Sequence, residues 1–150
     1  MMRITGGEFR GRKIKTLEGM DTRPILTRVR KSLFDIIGPG IAGSDFLDLF
    51  AGTGSVGIEA LSRGAGSATF VENAGKAVQV IRDNLRLLGI AEKSRVCGND
   101  VLSWLNIASE SGEKYGIIFI GPPYFKSLAD KTLASLSKMD LLESGGNIFV

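Results

Sequence analysis

The chain has 150 residues, 43% apolar and 23% charged, the balance of a folded domain with room for a core rather than of a disordered segment. It contains no histidine and one cysteine, Cys97, which excludes Ser-His and Cys-His nucleophiles and a disulfide framework. The same scarcity argues against zinc, so no metal is expected. No apolar run approaches the length of a membrane span, and no apolar stretch follows the basic amino terminus. The expectation is a cytoplasmic monomer without membrane contact. The net charge of +3 is uneven: residues 1–31 carry nine Lys/Arg against three Asp/Glu, and the remainder ten against thirteen. A basic arm of this kind suits a polyanion, nucleic acid above all, the plainer alternative being a solvated basic surface.

Met2 to Leu17 reads as a short hairpin around Gly6-Gly7, with Arg10, Arg12, Lys13 and Lys15 exposed. Thr22-Arg23-Pro24 reads as a turn. A helix is expected from Thr27 to Ile37, with Val29, Leu33, Ile36 and Ile37 as its apolar face, ended by Gly38-Pro39-Gly40. Strands and helices then alternate. Strands are expected at Phe46–Phe50, Ala68–Glu72, Ser94–Cys97 and Gly116–Ile120, with a fifth beginning at Asn147. The helices between them are Ser55–Arg63, Ala74–Leu88, Asp100–Ala108 and Ser127–Lys138, with Asp100 placed as an N-cap. Such alternation predicts an α/β fold, a mostly parallel sheet with helices on both faces. Residues 1–40 form a basic extension and residues 41–150 the α/β domain. The chain stops at the fifth strand, so the sheet is expected to be incomplete there.

The most informative segment is Asp48-Leu49-Phe50-Ala51-Gly52-Thr53-Gly54-Ser55-Val56-Gly57, a strand running through close glycines into a helix. This is the arrangement by which α/β proteins hold a nucleoside. The glycine spacing, with Glu72 placed to bind a ribose, fits a nicotinamide dinucleotide. Against that, Asp48 at the strand end is costly beside a diphosphate and welcome beside a cationic, amino-acid-bearing ligand. No histidine is present for hydride chemistry. A second signature, Gly121-Pro122-Pro123-Tyr124, follows the fourth strand on the same sheet edge, where Tyr124 offers a face for a base.

These residues resemble the class I S-adenosylmethionine-dependent methyltransferases, and specifically the bacterial RsmD family. The likeness runs from residue 2 to 150 through Arg3-Ile4-Thr5-Gly6-Gly7, Phe9-Arg10-Gly11-Arg12, Thr22-Arg23-Pro24, Arg28-Val29-Arg30, Leu33-Phe34, Asp48–Gly57, Glu59–Ala65, Phe70-Val71-Glu72 and Pro122-Pro123-Tyr124. It implies a Rossmann-like domain that methylates the N2 amine of a guanine in small-subunit ribosomal RNA, as RNA or within the subunit. It further implies that Asp48, Phe50, Ala51, Gly52, Thr53, Gly54, Glu72, Asn73 and Asp100 form the cofactor site. Within it, Asp48 and the Gly52 and Gly54 backbone would lie against the methionine part, Glu72 on the ribose hydroxyls and Asp100 near the adenine. Arg10, Arg12, Lys13, Arg23, Arg28 and Arg30 would hold RNA. Gly121, Pro122, Pro123 and Tyr124 would face the target base. Trp104 reads as core.

The family places Asp or Asn before the two prolines, where the side-chain oxygen accepts an N–H bond from the amine. Gly121 lacks that acceptor. The resemblance therefore implies normal cofactor binding with slow or absent transfer. A catalytically weakened RNA-binding relative is the alternative, and a nicotinamide dehydrogenase a more distant one. Family members also continue past the fifth strand.

Overall fold

The computed structural model describes residues 1–17, 24–121 and 126–150. Two short strands, β1 (Met2–Arg3) and β2 (Lys13–Ile14), pair antiparallel. They are followed by helix α1 (Pro24–Ile37) and a 3-10 turn at Gly38–Ile41. The alternation is then β3 (Asp45–Leu49), α2 (Ser55–Ser62), β4 (Ser67–Val71), α3 (Gly75–Leu88), β5 (Ser94–Cys97), α4 (Val101–Glu110), β6 (Tyr115–Ile120), α5 (Lys126–Ser137) and β7 (Leu142–Phe149). The expected elements are present with ends shifted by a residue or two. The exceptions are α1, which starts at Pro24, read in the sequence as part of a turn, and not at Thr27, and β7, which starts at Leu142 and not Asn147. The Glu143-Ser144-Gly145-Gly146 segment of β7 has little β propensity and no register partner on β6; it bulges between the Tyr115–Leu142 and Ile117–Asn147 pairs.

The five-stranded sheet has the order β5-β4-β3-β6-β7, and every pairing in it is parallel. Chain direction across the sheet reverses between β3 and β6, which creates a crevice at their carboxyl ends. Side chains alternate across the strands and build two cores. On one face Phe46, Phe70 and Ile117 pack with Ile58, Ile81 and Leu85 of α2 and α3. On the other, Leu47, Leu49, Val71 and Ile118 pack with Trp104, Leu105 and Leu136 of α4 and α5. Trp104 is therefore core, as expected.

Ile4, Ile14 and Phe34 from the first forty residues belong to the first of these cores. The amino-terminal segment crosses the carboxyl end of α2 so closely that a Cβ on Gly7 would lie 2.0 Å from the Ser62 carbonyl oxygen. Gly7 also has φ +82°, so both position and conformation require glycine. The close approach lets Glu8 N donate to Ser62 O at 2.8 Å and Phe9 N to Ser62 Oγ at 3.0 Å.

Helix α1 keeps part of the face read in the sequence, with Leu33 and Ile37 packed against the first core, and is rotated from the rest of it. Val29 and Ile36 are 61% and 74% exposed, whereas Arg30 and Phe34 are buried at 5% and 3%. The reason lies on α2. Glu59, wholly buried, accepts from Arg30 Nε at 3.0 Å, and Arg30 also donates to the Arg3 carbonyl. Arg30 satisfies the Glu59 oxygen that Arg63 leaves free of an ion pair, and with it the helix turns its arginine inward and two aliphatic side chains outward.

Candidate active site

The carboxyl ends of β3, β4 and β6 carry the residues singled out in the sequence. Phe50, Ala51, Gly52 and Glu72 are half-buried there, and Asn73 and Asp100 are exposed. Phe50 has φ 59°, the one left-handed non-glycine residue among those described. The turn it begins is closed by Gly54 N donating to Ala51 O at 2.8 Å and by Ala51 N donating to Val71 O at 3.1 Å. Gly54 then caps α2.

Glu72 directly follows β4, and its carboxylate organises the loop. Oε1 accepts from Gly52 N at 2.9 Å and Oε2 from Ala74 N at 2.8 Å. Each oxygen keeps a second lone pair, so the side chain retains capacity for two ligand hydroxyls. Asp100 caps α4, with Oδ2 accepting from Ser103 N and Ser103 Oγ, each at 3.1 Å. Its structural role is thus present alongside its position at the carboxyl edge of the sheet. Glu72 N donates to Cys97 O at 3.1 Å, which ties the ends of β4 and β5 together beneath these two acids.

Asp48 lies elsewhere than expected. It is 1% exposed, beneath the loop rather than facing out of it, and Oδ2 accepts from Gly57 N at 3.0 Å. Gly57 N is a first-turn amide of α2, one of the donors a helix offers to an anion. Burial pushes the Asp48 carboxyl up to about 8, against the lowering effect of the Gly57 hydrogen bond. The hydrogen bond to Gly57 N ties the end of β3 to the first turn of α2.

Gly121 is buried at the end of β6, and its amide donates to Leu49 O at 2.9 Å. A Cβ there would meet the Phe50 carbonyl oxygen at 2.8 Å and that of Leu49 at 3.0 Å. The missing side chain and the close approach of the Phe50 loop are therefore one feature. Pro122, Pro123 and Tyr124 lie outside the described residues, as does Arg23.

Of the expected RNA contacts, Arg10, Arg12, Lys13 and Arg28 are exposed. Arg12 lies over the Phe9 ring at 5.8 Å. Arg30 is a correction: it is spent on Glu59 inside the protein and presents no charge to a phosphate. Two polar residues that sequence reasoning missed, Glu59 and Asn84, are each fully buried. Their helical positions carry no signal that separates them from solvent-facing acids and amides. Among the described residues no cluster of metal-ligating side chains occurs, and no helix is long and apolar enough to cross a membrane. A groove of about 270 Å³ between Ser44, Gly116 and Glu143 lies at the opposite, amino edge of the sheet, away from these acids.

A parallel sheet in this order, with a glycine loop and an acid after the second strand of the alternation, defines a Rossmann-like α/β fold, and solved structures similar to it are methyltransferases. The chain matches the family described as Conserved hypothetical protein 95 over residues 2–150, and it belongs to that family, the RsmD family of the sequence resemblance. It is 37% identical over 145 residues to ribosomal RNA small subunit methyltransferase D of Escherichia coli (strain K12), covering 97% of this chain and 68% of that protein. It is also 37% identical over 147 residues to YlbH of Bacillus subtilis (strain 168), described as an rRNA methyltransferase, covering 98% and 80%. The solved structure of yhhF from Escherichia coli, described as a methyltransferase, superposes with a TM-score of 0.86 at 34% identity, covering 98% of this chain and 78% of that one.

Proposed function

We propose that this protein transfers a methyl group from S-adenosylmethionine to the N2 amine of a guanine in small-subunit ribosomal RNA. The observation that carries the cofactor assignment is Asp48 on Gly57 N. A dinucleotide uses the first-turn amides of this helix for its diphosphate. Here a buried carboxyl already occupies one of them, so that amide is not free to receive a phosphate. A cofactor without phosphates and with positive charge fits the same place.

Bound S-adenosylmethionine supplies a methyl group already activated on a sulfonium. What remains for the protein is positioning. Glu72 accepts from the ribose hydroxyls while holding Gly52 N, so recognition of the sugar and the shape of the loop depend on one carboxylate. Asp100 offers an acceptor toward the adenine amine from the start of α4. Arg10, Arg12, Lys13 and Arg28 neutralise phosphates and set the register of the RNA. Pro122, Pro123 and Tyr124 complete the base pocket in this reading, and the target guanine leaves its stack to enter it.

Gly121 favours a second reading, a weakened relative that binds RNA and cofactor but turns over slowly. A guanine amine is a poor nucleophile, because its lone pair is delocalised into the ring. The absent side-chain acceptor typically costs on the order of a hundred- to a thousandfold in rate. Calorimetric titration with S-adenosylhomocysteine and with NAD tests the cofactor assignment common to both readings. Saturable binding of the thioether and none of NAD is expected, and binding of NAD alone overturns it.

A further inference from the structure

The basic arm is anchored at two buried side chains, and they do different things. Glu59 is a fixed post, accepting from Thr5 N at 3.0 Å, Gly6 N at 2.9 Å, Arg30 Nε at 3.0 Å and Arg63 Nε at 2.8 Å. All its partners lie on the arm, α1 or the end of α2, remote from the glycine loop. Asn84 on α3 is a link. Its Oδ1 accepts from Lys15 N at 2.7 Å, and its Nδ2 donates to Lys15 O at 3.0 Å and to Thr53 O at 3.4 Å. One planar amide thus joins the arm backbone to the glycine loop. Only this orientation of the amide satisfies all three partners, since the first is a donor and the other two are acceptors.

Both ends of the link sit where ligands act. Thr53 lies between Gly52, whose amide is held by Glu72, and Gly54, which caps α2. Lys15 follows the exposed Arg12 and Lys13, and its Nζ is 3.6 Å from Asp83, while Arg12 reaches the Leu87 carbonyl at 3.4 Å. These side chains are exposed, so a polyanion competes with their weak contacts along α3 and pulls on the backbone that Asn84 grips.

Resting on the functional reading above, we propose that Asn84 is a positioning residue through which RNA on the basic arm and cofactor in the glycine loop bind cooperatively. By linkage the effect is reciprocal: RNA tightens cofactor binding by the same factor as cofactor tightens RNA binding.

The test is equilibrium dialysis of labelled S-adenosylhomocysteine with the full chain, alone and with saturating small ribosomal subunits. Wild-type protein should bind the thioether about fivefold or more tightly in the presence of subunits, the lower end of ordinary coupling. In Asn84→Ala and Asn84→Asp the ratio should fall to about one, while affinity without subunits changes less than the ratio does. A purely structural role would weaken both measurements together and leave the ratio intact, which overturns the proposal. If neither variant folds, hydrogen exchange of the wild type decides: subunits alone must slow exchange at Thr53 and Gly54, and unchanged exchange overturns it. Wild-type binding of both ligands without coupling refutes this inference alone. Failure to bind either ligand refutes the functional reading, and this inference with it.

Discussion

Arg30 and Glu59 form an ion pair of 3.0 Å in which both side chains are buried, one on α1 and the other on α2. Burial draws the arginine's proton affinity down while the facing carboxylate draws it up, and Arg63 Nε closes the other oxygen at 2.8 Å. The pair fixes which face of α1 points inward, and so which charges remain outside.

Arg30 and Arg28 should therefore behave as opposites. Arg30→Met removes one of the two guanidinium partners of buried Glu59, which keeps Arg63 and two backbone amides, and should destabilise the protein by about 1–3 kcal/mol. Arg28→Ala should leave the thermal midpoint nearly unchanged, weaken RNA binding and reduce the salt slope by about one. Thermal denaturation together with filter binding across a salt series checks both.

Gly7→Ala should detach the arm from α2, because the new methyl would overlap the Ser62 carbonyl at 2.0 Å. A stability loss of about 1–3 kcal/mol is expected, from overpacking together with an unfavourable φ. Cofactor affinity should fall far less than RNA affinity, measured by calorimetry and filter binding on the same preparation. Equal losses would show that the arm is not a separate RNA element.

Asp48 should make stability fall as the pH rises from about 4 to about 8. Its carboxyl is raised from 3.8 unfolded to about 8 folded. The protonated group thus favours the fold fully below pH 3.8, and that advantage is lost as the pH climbs through about 8. Asp48→Asn keeps an oxygen for Gly57 N and removes the titration, so its thermal midpoint should fall less than that of the wild type between pH 6 and about 9. A cationic cofactor favours the ionised acid, so wild-type affinity should rise over the same range with release of a proton. Calorimetry in buffers of different ionisation enthalpy reads that proton.

Much of the fold was legible in the sequence. The apolar runs at Phe46, Ala68 and Gly116, each followed by a helical period, reappear as β3, β4 and β6, and Asp100 caps α4 as its residue type implied. The inward face of α1 was legible only in part: Leu33 and Ile37 pack on the core as expected, but Arg30 and Phe34 complete that face. Its aliphatic spacing points to Val29 and Ile36, while the partner that rotates it, Glu59, is 29 residues away from Arg30. Asn84 was hidden for the same reason: its value lies in Lys15 and Thr53, which only the folded chain brings to it. Asp48 stood out in the sequence by its place before the glycines, yet its burial and its bond to Gly57 N depend on the folded turn.

Gly121 offers the most direct measurement. Small ribosomal subunits isolated from cells lacking the endogenous enzyme would be incubated with S-adenosylmethionine and either the wild-type chain or Gly121→Asp, and nucleosides resolved by mass spectrometry. A Cβ there presses on the Phe50 carbonyl at 2.8 Å, so the variant should melt at a lower temperature. At saturating cofactor it should nonetheless form N2-methylguanosine faster than the wild type, by up to about a hundredfold, the worth of one restored transition-state hydrogen bond. Equal rates would contradict the role given to Gly121. No N2-methylguanosine from either protein would contradict the assignment of the reaction itself.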